Sequence, residues 1–211
     1  SQQSGFGRWA LKNSSGSYNS AFGAFSLDAA GCTGGYNSAF GAHSLGAKTS
    51  GASNSAFGYN AGDSITTGSN CLVLGANADA SSATVDNEIT LGDSNIATLR
   101  CQVQTISSLS DERDKTQIEE LPVGLKFVSQ LKPVKFKWKS REGITKDNTV
   151  ESGFIAQQLQ TVQKDNDADY LGLVYDNNPD RLEASYGKLV PVLVKAIQEL
   201  KMEVEALKNN G

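Results

Sequence analysis

A single histidine, His43, in 211 residues leaves the C-terminal half of the chain without an imidazole, so a Ser-His-Asp arrangement there is not to be expected. The three cysteines, Cys32, Cys71 and Cys101, are odd in number and show no Cys-x-x-Cys spacing. That argues against a zinc site or a disulfide framework and leaves buried free thiols as the expectation. No apolar run approaches the ~20 residues of a membrane span, and no signal peptide is evident, so a soluble chain without membrane insertion is expected. A net charge of -4, with acids and bases interspersed, offers no basic face, and nucleic-acid binding has little support. The chain opens on Ser1 rather than methionine, as a piece of something longer would.

What is present is unevenly distributed. Residues 1–109 hold 15 of the 21 glycines, no proline, and only Arg8, Lys12, Lys48 and Arg100 as bases. Residues 110–211 hold Pro122, Pro133, Pro179 and Pro191, the single methionine Met202 and most of the charge. A compositional break of this kind marks a domain boundary, and Ser110-Asp111-Glu112-Arg113-Asp114-Lys115 stands on it. Two domains are expected, 1–109 and 110–211.

The first is a repeat. Gly7, Gly23, Gly41, Gly58, Gly75 and Gly92 close six copies of one unit of about 17 residues, and each is preceded by Phe6, Phe22, Phe40, Phe57, Leu74 or Leu91. A unit this short cannot hold a pair of helices but fits one coil of a β-solenoid, in which equivalent residues stack at a strand spacing of about 4.8 Å. The Phe/Leu column is expected to form an internal ladder, with Ser, Asn, Gly and Ala at turns and on the hydrated exterior. His43 occupies the position held elsewhere by Phe25 and Asn60, which makes it a surface residue rather than a catalyst or ligand. A disordered linker would share the polar, glycine-rich composition, but would not require an apolar residue in every repeat. After the last repeat, Leu99, Cys101, Val103 and Thr105 alternate with polar residues, which predicts a closing strand from Ile96 to about Ile106.

The Asn-Ser-Ala-Phe-Gly-Ala repeat resembles the head repeats of trimeric autotransporter adhesins. It resembles more closely the shaft repeats ahead of the chaperone domain in bacteriophage tail fibres, over about residues 5–95. The resemblance implies a trimeric β-roll in a virion, made in the host cytoplasm, with a host-surface receptor as a possible partner of the shaft.

The junction carries a second resemblance. Ser110-Asp111-x-Arg113-x-Lys115, Gly153-Phe154-Ile155-Ala156-Gln157-Gln158-Leu159, and Tyr186 through Leu200 resemble, in that order, the intramolecular chaperone auto-processing domain at the C-terminus of tail fibres, neck appendages and endosialidase tailspikes. That domain is a self-cleaving serine peptidase. The resemblance implies Ser110 and Lys115 as the catalytic pair, Asp111 and Arg113 as supporting residues, and Leu109–Ser110 as the cleaved bond. Many members carry an apolar residue where Asp114 stands.

The chemistry can be stated from the residues. A serine hydroxyl becomes a nucleophile when something takes its proton, and lysine is the only plausible base close to Ser110. A lysine amine ordinarily titrates near about 10.4, so such a base has to be desolvated or set beside cations. Neither a helix nor a strand brings side chains five residues apart onto one face. A turn must fold Lys115 back, or a neighbouring protomer must supply it. No cofactor or metal enters this chemistry; Asp165-Asn166-Asp167-Ala168-Asp169 lacks the glycine of an EF-hand loop, since Tyr170 stands there.

Further along, a helix is expected around 122–130, a strand at Val134, Phe136 and Trp138, a hairpin loop over 140–150, and a strand end passing into a helix from Gly153 to Val162. A strand at Leu171 to Tyr175 follows. Val190, Leu193, Ile197, Leu200, Val204 and Leu207 then recur at heptad spacing. A helix packed on its own domain would show much the same pattern, but with a shaft that favours trimers a three-stranded bundle is expected. The fold expected is thus an all-β solenoid shaft followed by an α+β domain that ends in a trimeric helical bundle. The function expected is a viral fibre segment whose C-terminal domain assembles a homotrimer and then cuts itself off. An uncleaved trimeric adhesin with that domain as its tip is the alternative.

Overall fold

In a computed structural model that describes residues 2–102, 106–139 and 150–209, the chain divides between Thr98 and Leu99 into two compact units. The division falls ahead of the Leu109–Ser110 junction, so that residues 99–102 and 106–109 go with the second unit.

The first unit is a parallel β-solenoid. Each repeat contributes one three-residue strand, β1 (Ser4–Phe6), β2 (Ser20–Phe22), β3 (Ser38–Phe40), β4 (Ser55–Phe57), β5 (Leu72–Leu74) and β6 (Ile89–Leu91), stacked in chain order. The register is uniform, Ser20 opposite Ser38, Ala21 opposite Ala39 and Phe22 opposite Phe40, so every column of the sequence becomes a ladder.

The ladder inside the coil is not the expected one. Ala21, Ala39, Ala56 and Val73 point inward and are buried, while Phe6, Phe22, Phe57 and Leu91 are exposed. Side chains alternate across a strand, so Ser and Phe share one face and Ala takes the other, and it is the alanine that faces into the narrow coil. Leu27, Leu45 and Ile65 fill the interior from the other walls. The phenylalanines instead stack on the outer face, with ring centroids 5.0 Å apart for Phe22–Phe40 and 4.9 Å for Phe40–Phe57, nearly coplanar in both pairs.

A buried polar ladder runs beside the alanines. Asn19 Oδ1 accepts from Asn37 N–H, Asn37 Oδ1 from Asn54 N–H, and Asn54 Oδ1 from Cys71 N–H. Each rung thereby satisfies the next, as buried polar groups require. Gly23 shows why glycine closes each strand. Its φ is +138°, and a Cβ there would lie 2.5 Å from the carbonyl of Gly41 on the next rung. Lys48 is fully buried and donates from Nζ to the carbonyls of Gly68 (2.5 Å) and Thr66 (3.4 Å); burial lowers its pKa to about 8. His43 is a surface residue, its ring stacked 4.9 Å from that of Phe25. Cys32 and Cys71 are buried as expected, but Cys101 is exposed.

The second unit begins with extended chain. Residues 99–102 and 106–111 form no strand, and Ile106 is 98% exposed, so the expected closing strand has no partner to pair with over the described residues. The rest is α+β. Helix α1 spans only Leu125–Val128, shorter than expected because Gly124 and Pro122 lie outside it. Strands β7 (Val134–Lys137) and β8 (Val150–Gly153) pair antiparallel; of the loop expected over 140–150, Val150 already belongs to β8 and the rest lies outside the described residues. Helix α2 (Ala156–Asp165) follows. A 3₁₀ turn at Asp169–Leu171 occupies the start of the expected strand, which is reduced to β9 (Val174–Tyr175), paired with β10 (Glu183–Ala184). Helix α3 runs from Val190 to Asn209, with Pro191 in its first turn, where the missing N–H costs nothing. Among the described residues no helix is long and apolar enough to cross a membrane.

Val123, Phe127, Ala168, Leu173, Leu189 and Val192 form the core of this unit. From α3, the residues packed inward are Val192 and Ala196. Each residue turns a helix by about 100°, which puts that stripe on a different side from Val190, Leu193, Ile197, Leu200, Val204 and Leu207. All six heptad residues are exposed, from 41% at Val204 to 74% at Leu207. The heptad face is therefore not the face that holds α3 to its own domain.

Candidate active site

The residues at the junction lie on an exposed arm, 106–120, whose side chains are solvent-facing throughout; Leu109 is 94% exposed. Its one piece of regular structure is a 3₁₀ turn, Glu112–Asp114. Asp111 caps that turn from extended backbone, its Oδ1 accepting from the Arg113 N–H at 2.9 Å. The guanidinium of Arg113 returns to the same carboxylate, Nη2 to Oδ2 at 2.6 Å and Nε to Oδ1 at 3.0 Å. The Arg113 side chain, with its N–H, holds the Asp111 carboxyl below its ordinary range, and Asp111 in turn raises Arg113. Lys115 N–H closes the turn on the Glu112 carbonyl at 3.0 Å.

This turn brings the two ends of the motif together. Lys115 Nζ lies 2.7 Å from Ser110 Oγ and 3.2 Å from the Ser110 carbonyl oxygen, within one chain. Asp111 and Arg113 build the turn and touch neither atom of that pair. The arrangement pairs a hydroxyl with an amine, the minimum for a nucleophile and a base. Shielding from water is not supplied by the single chain, since Ser110 and Lys115 are both exposed. Two grooves of the unit, of about 430 Å³ beside α2 and about 410 Å³ between β8 and α3, are lined by neither residue. The pair therefore lies on the solvent-exposed arm and in neither groove.

The other matching stretches have structural roles. Tyr186 Oη accepts from Phe154 N–H at 3.0 Å, which joins the Gly153–Leu159 stretch to the one that leads into α3. Glu199 Oε2 accepts from Leu125 N–H at 2.7 Å, across 74 residues of sequence. No local pattern could have announced that contact.

Residues 110–167, a little over a quarter of the chain, match the model of a peptidase family described as the chaperone of endosialidase. The match lies within the second unit, after the β-solenoid in the sequence, and supports a C-terminal intramolecular chaperone domain there. No curated protein and no solved structure matches the chain.

Proposed function

We propose that residues 110–211 bring three chains together through α3 and then release themselves by hydrolysing the Leu109–Ser110 bond, leaving residues 1–109 as part of the shaft of a viral tail fibre or tailspike. The observation that carries this reading is the 2.7 Å approach of Lys115 Nζ to Ser110 Oγ in a domain matched by the chaperone family model. Lys115, as a neutral amine, takes the Ser110 hydroxyl proton as Oγ attacks the Leu109 carbonyl carbon. The C–N bond breaks, the proton passes to the Ser110 nitrogen, and Leu109 is left as an ester on Oγ. Water then cleaves the ester, giving a Leu109 carboxylate and restoring the hydroxyl. The reaction needs no cofactor, and because the target bond is tethered beside the nucleophile, effective molarity replaces substrate binding.

Two unpartnered apolar stripes support the trimer, the stacked Phe22, Phe40 and Phe57 on the shaft and the heptad face of α3. A third argument is the exposure of the arm. A base so open to water gains the shielding it needs when other protomers cover it. In this reading the helical bundle aligns three chains while the slow, non-local β pairing of the shaft forms. The product is a homotrimeric fibre in the virion, made in the host cytoplasm, with a host-surface receptor as partner of the shaft.

Intact-mass analysis of the freshly expressed chain under denaturing conditions tests the proposal. Cleavage gives two species, each about half of the 22.3 kDa chain, with the new N-terminus at Ser110. A single species of full mass in an assembled trimer indicates instead an adhesin that keeps its tip.

A further inference from the structure

We infer that Glu199, together with Lys195, is a positioning group that ties the root of the cleavage arm to the bundle helix, so that processing senses the placement of α3. This rests on the processing reading above. The arm is exposed from Ile106 to Glu120 and first meets the core at Leu121 and Val123. At that entry the Leu125 N–H, which opens α1 and has no helical acceptor, is taken by the Glu199 carboxylate at 2.7 Å. Gly124 is packed so tightly beneath this carboxylate that a Cβ would lie 2.6 Å from Glu199 Cδ.

Lys195, one turn earlier on α3, lies 3.9 Å from Glu199 and 3.4 Å from Glu120, the last residue of the exposed arm. Glu120 is 93% exposed and adds no packing, so its ion pair is the contact that links the end of the arm to α3. Lys195 and Glu199 flank the buried Val192 and Ala196, whereas the heptad residues lie toward the other side of the same helix. One rigid element therefore carries the expected bundle contact on one side and the arm's anchor on the other. A displacement of α3 moves the anchor with it.

The two links differ in a measurable way. The Glu199 contact is a partly shielded charge-assisted hydrogen bond and is little affected by salt. The Lys195–Glu120 pair is open to solvent at its Glu120 end and is screened as the Debye length falls from about 8 Å at 0.15 M to about 3 Å at 1 M.

The test is the cleavage rate of the full chain, followed by intact mass, with oligomeric state from light scattering on the same samples. Glu199→Ala is expected to assemble but to cut about tenfold more slowly, the scale of one hydrogen bond to a charged group. Glu199→Gln recovers part of the rate, because its amide oxygen still accepts from Leu125 N–H. Glu120→Gln cuts more slowly than wild type at 0.15 M salt, and the two rates converge at about 1 M. The convergence identifies the effect as one of the ion pair's charge, and equal melting temperatures of the two proteins at 0.15 M salt separate positioning of the arm from a merely structural role. Trimers of Glu199→Ala that cut at the wild-type rate overturn the inference. If that variant does not assemble, Glu120→Gln decides, and an unchanged rate at low salt overturns it equally. Wild type that never cuts defeats the processing reading and this inference with it, whereas wild type that cuts alongside unaffected variants defeats the inference alone.

Discussion

Lys115 Nζ reaches Ser110 Oγ at 2.7 Å because the Glu112–Asp114 turn folds the chain back between them, which is how two residues five apart come to share one hydrogen bond. Ser110→Ala and Lys115→Ala are each expected to lower the rate of cleavage at Leu109–Ser110 by at least about a hundredfold, the lower end of what a positioned acid–base group contributes. Trimers should persist in both. Intact-mass time courses check this, and processing at the wild-type rate in either variant removes that residue from the reaction.

The turn itself depends on Asp111. Asp111→Ala removes both the cap on Arg113 N–H and the paired guanidinium, so cleavage should slow severalfold without stopping. Because Arg113 depresses the Asp111 carboxyl, the cap is complete above the ordinary carboxylate range and fails only as pH falls through the lowered value. The wild-type rate should accordingly show no loss attributable to Asp111 between pH 5 and pH 8. A rate that falls with Asp111-dependent titration inside that window contradicts the assigned geometry.

Much of this was legible in the sequence, and what was not has a physical reason. The 17-residue period alone identified the solenoid and its register, because identical columns must stack. Which column faces inward was not legible from residue size; the expectation placed Phe22, Phe40 and Phe57 inside, but a coil this narrow holds Ala21, Ala39 and Ala56. Alternation at Leu99 and Cys101 suggested a strand, yet alternation describes a strand only where a partner exists to bond it. The heptad of α3 was visible as a pattern. That it is distinct from the face bearing Val192 and Ala196 needed the fold, as did the bond from Glu199 to Leu125, which no local rule encodes.

Lys48 links the shaft's stability to pH. Burial lowers its amine from 10.5 to about 8, so between those values the unfolded chain holds a proton that the folded shaft does not. Stability should therefore rise with pH from about 8 to about 10.5 and be insensitive to this group outside that window. Melting curves of wild type and Lys48→Met across pH 7–11 check it. The wild-type shaft should gain on the variant through the window, and parallel curves would show that the amine is not shielded.

The outward phenylalanines separate coil folding from chain association. Changing Phe22, Phe40 and Phe57 to serine should leave the β signal of the shaft intact, since the interior is built from Ala21, Ala39, Ala56 and Val73, while weakening the trimer. Circular dichroism and sedimentation velocity on the same preparation distinguish the two. Trimers of undiminished strength would show that the stripe is not an interface, and loss of β structure would show that the coil does not fold apart from association.

The order of events is the most direct test of a chaperone that assembles and then cuts. Full-length chain is refolded from denaturant, and aliquots taken over time are split between cross-linking and denaturing mass analysis. Trimer should appear before any fragment ending at Leu109. In the Leu193→Asp, Leu200→Asp double variant, which sets an unpaired carboxylate at two heptad positions, neither trimer nor fragment should form. Fragments that appear while the chain is still monomeric, or a double variant that cuts as fast as wild type, would contradict the coupling of assembly to cleavage.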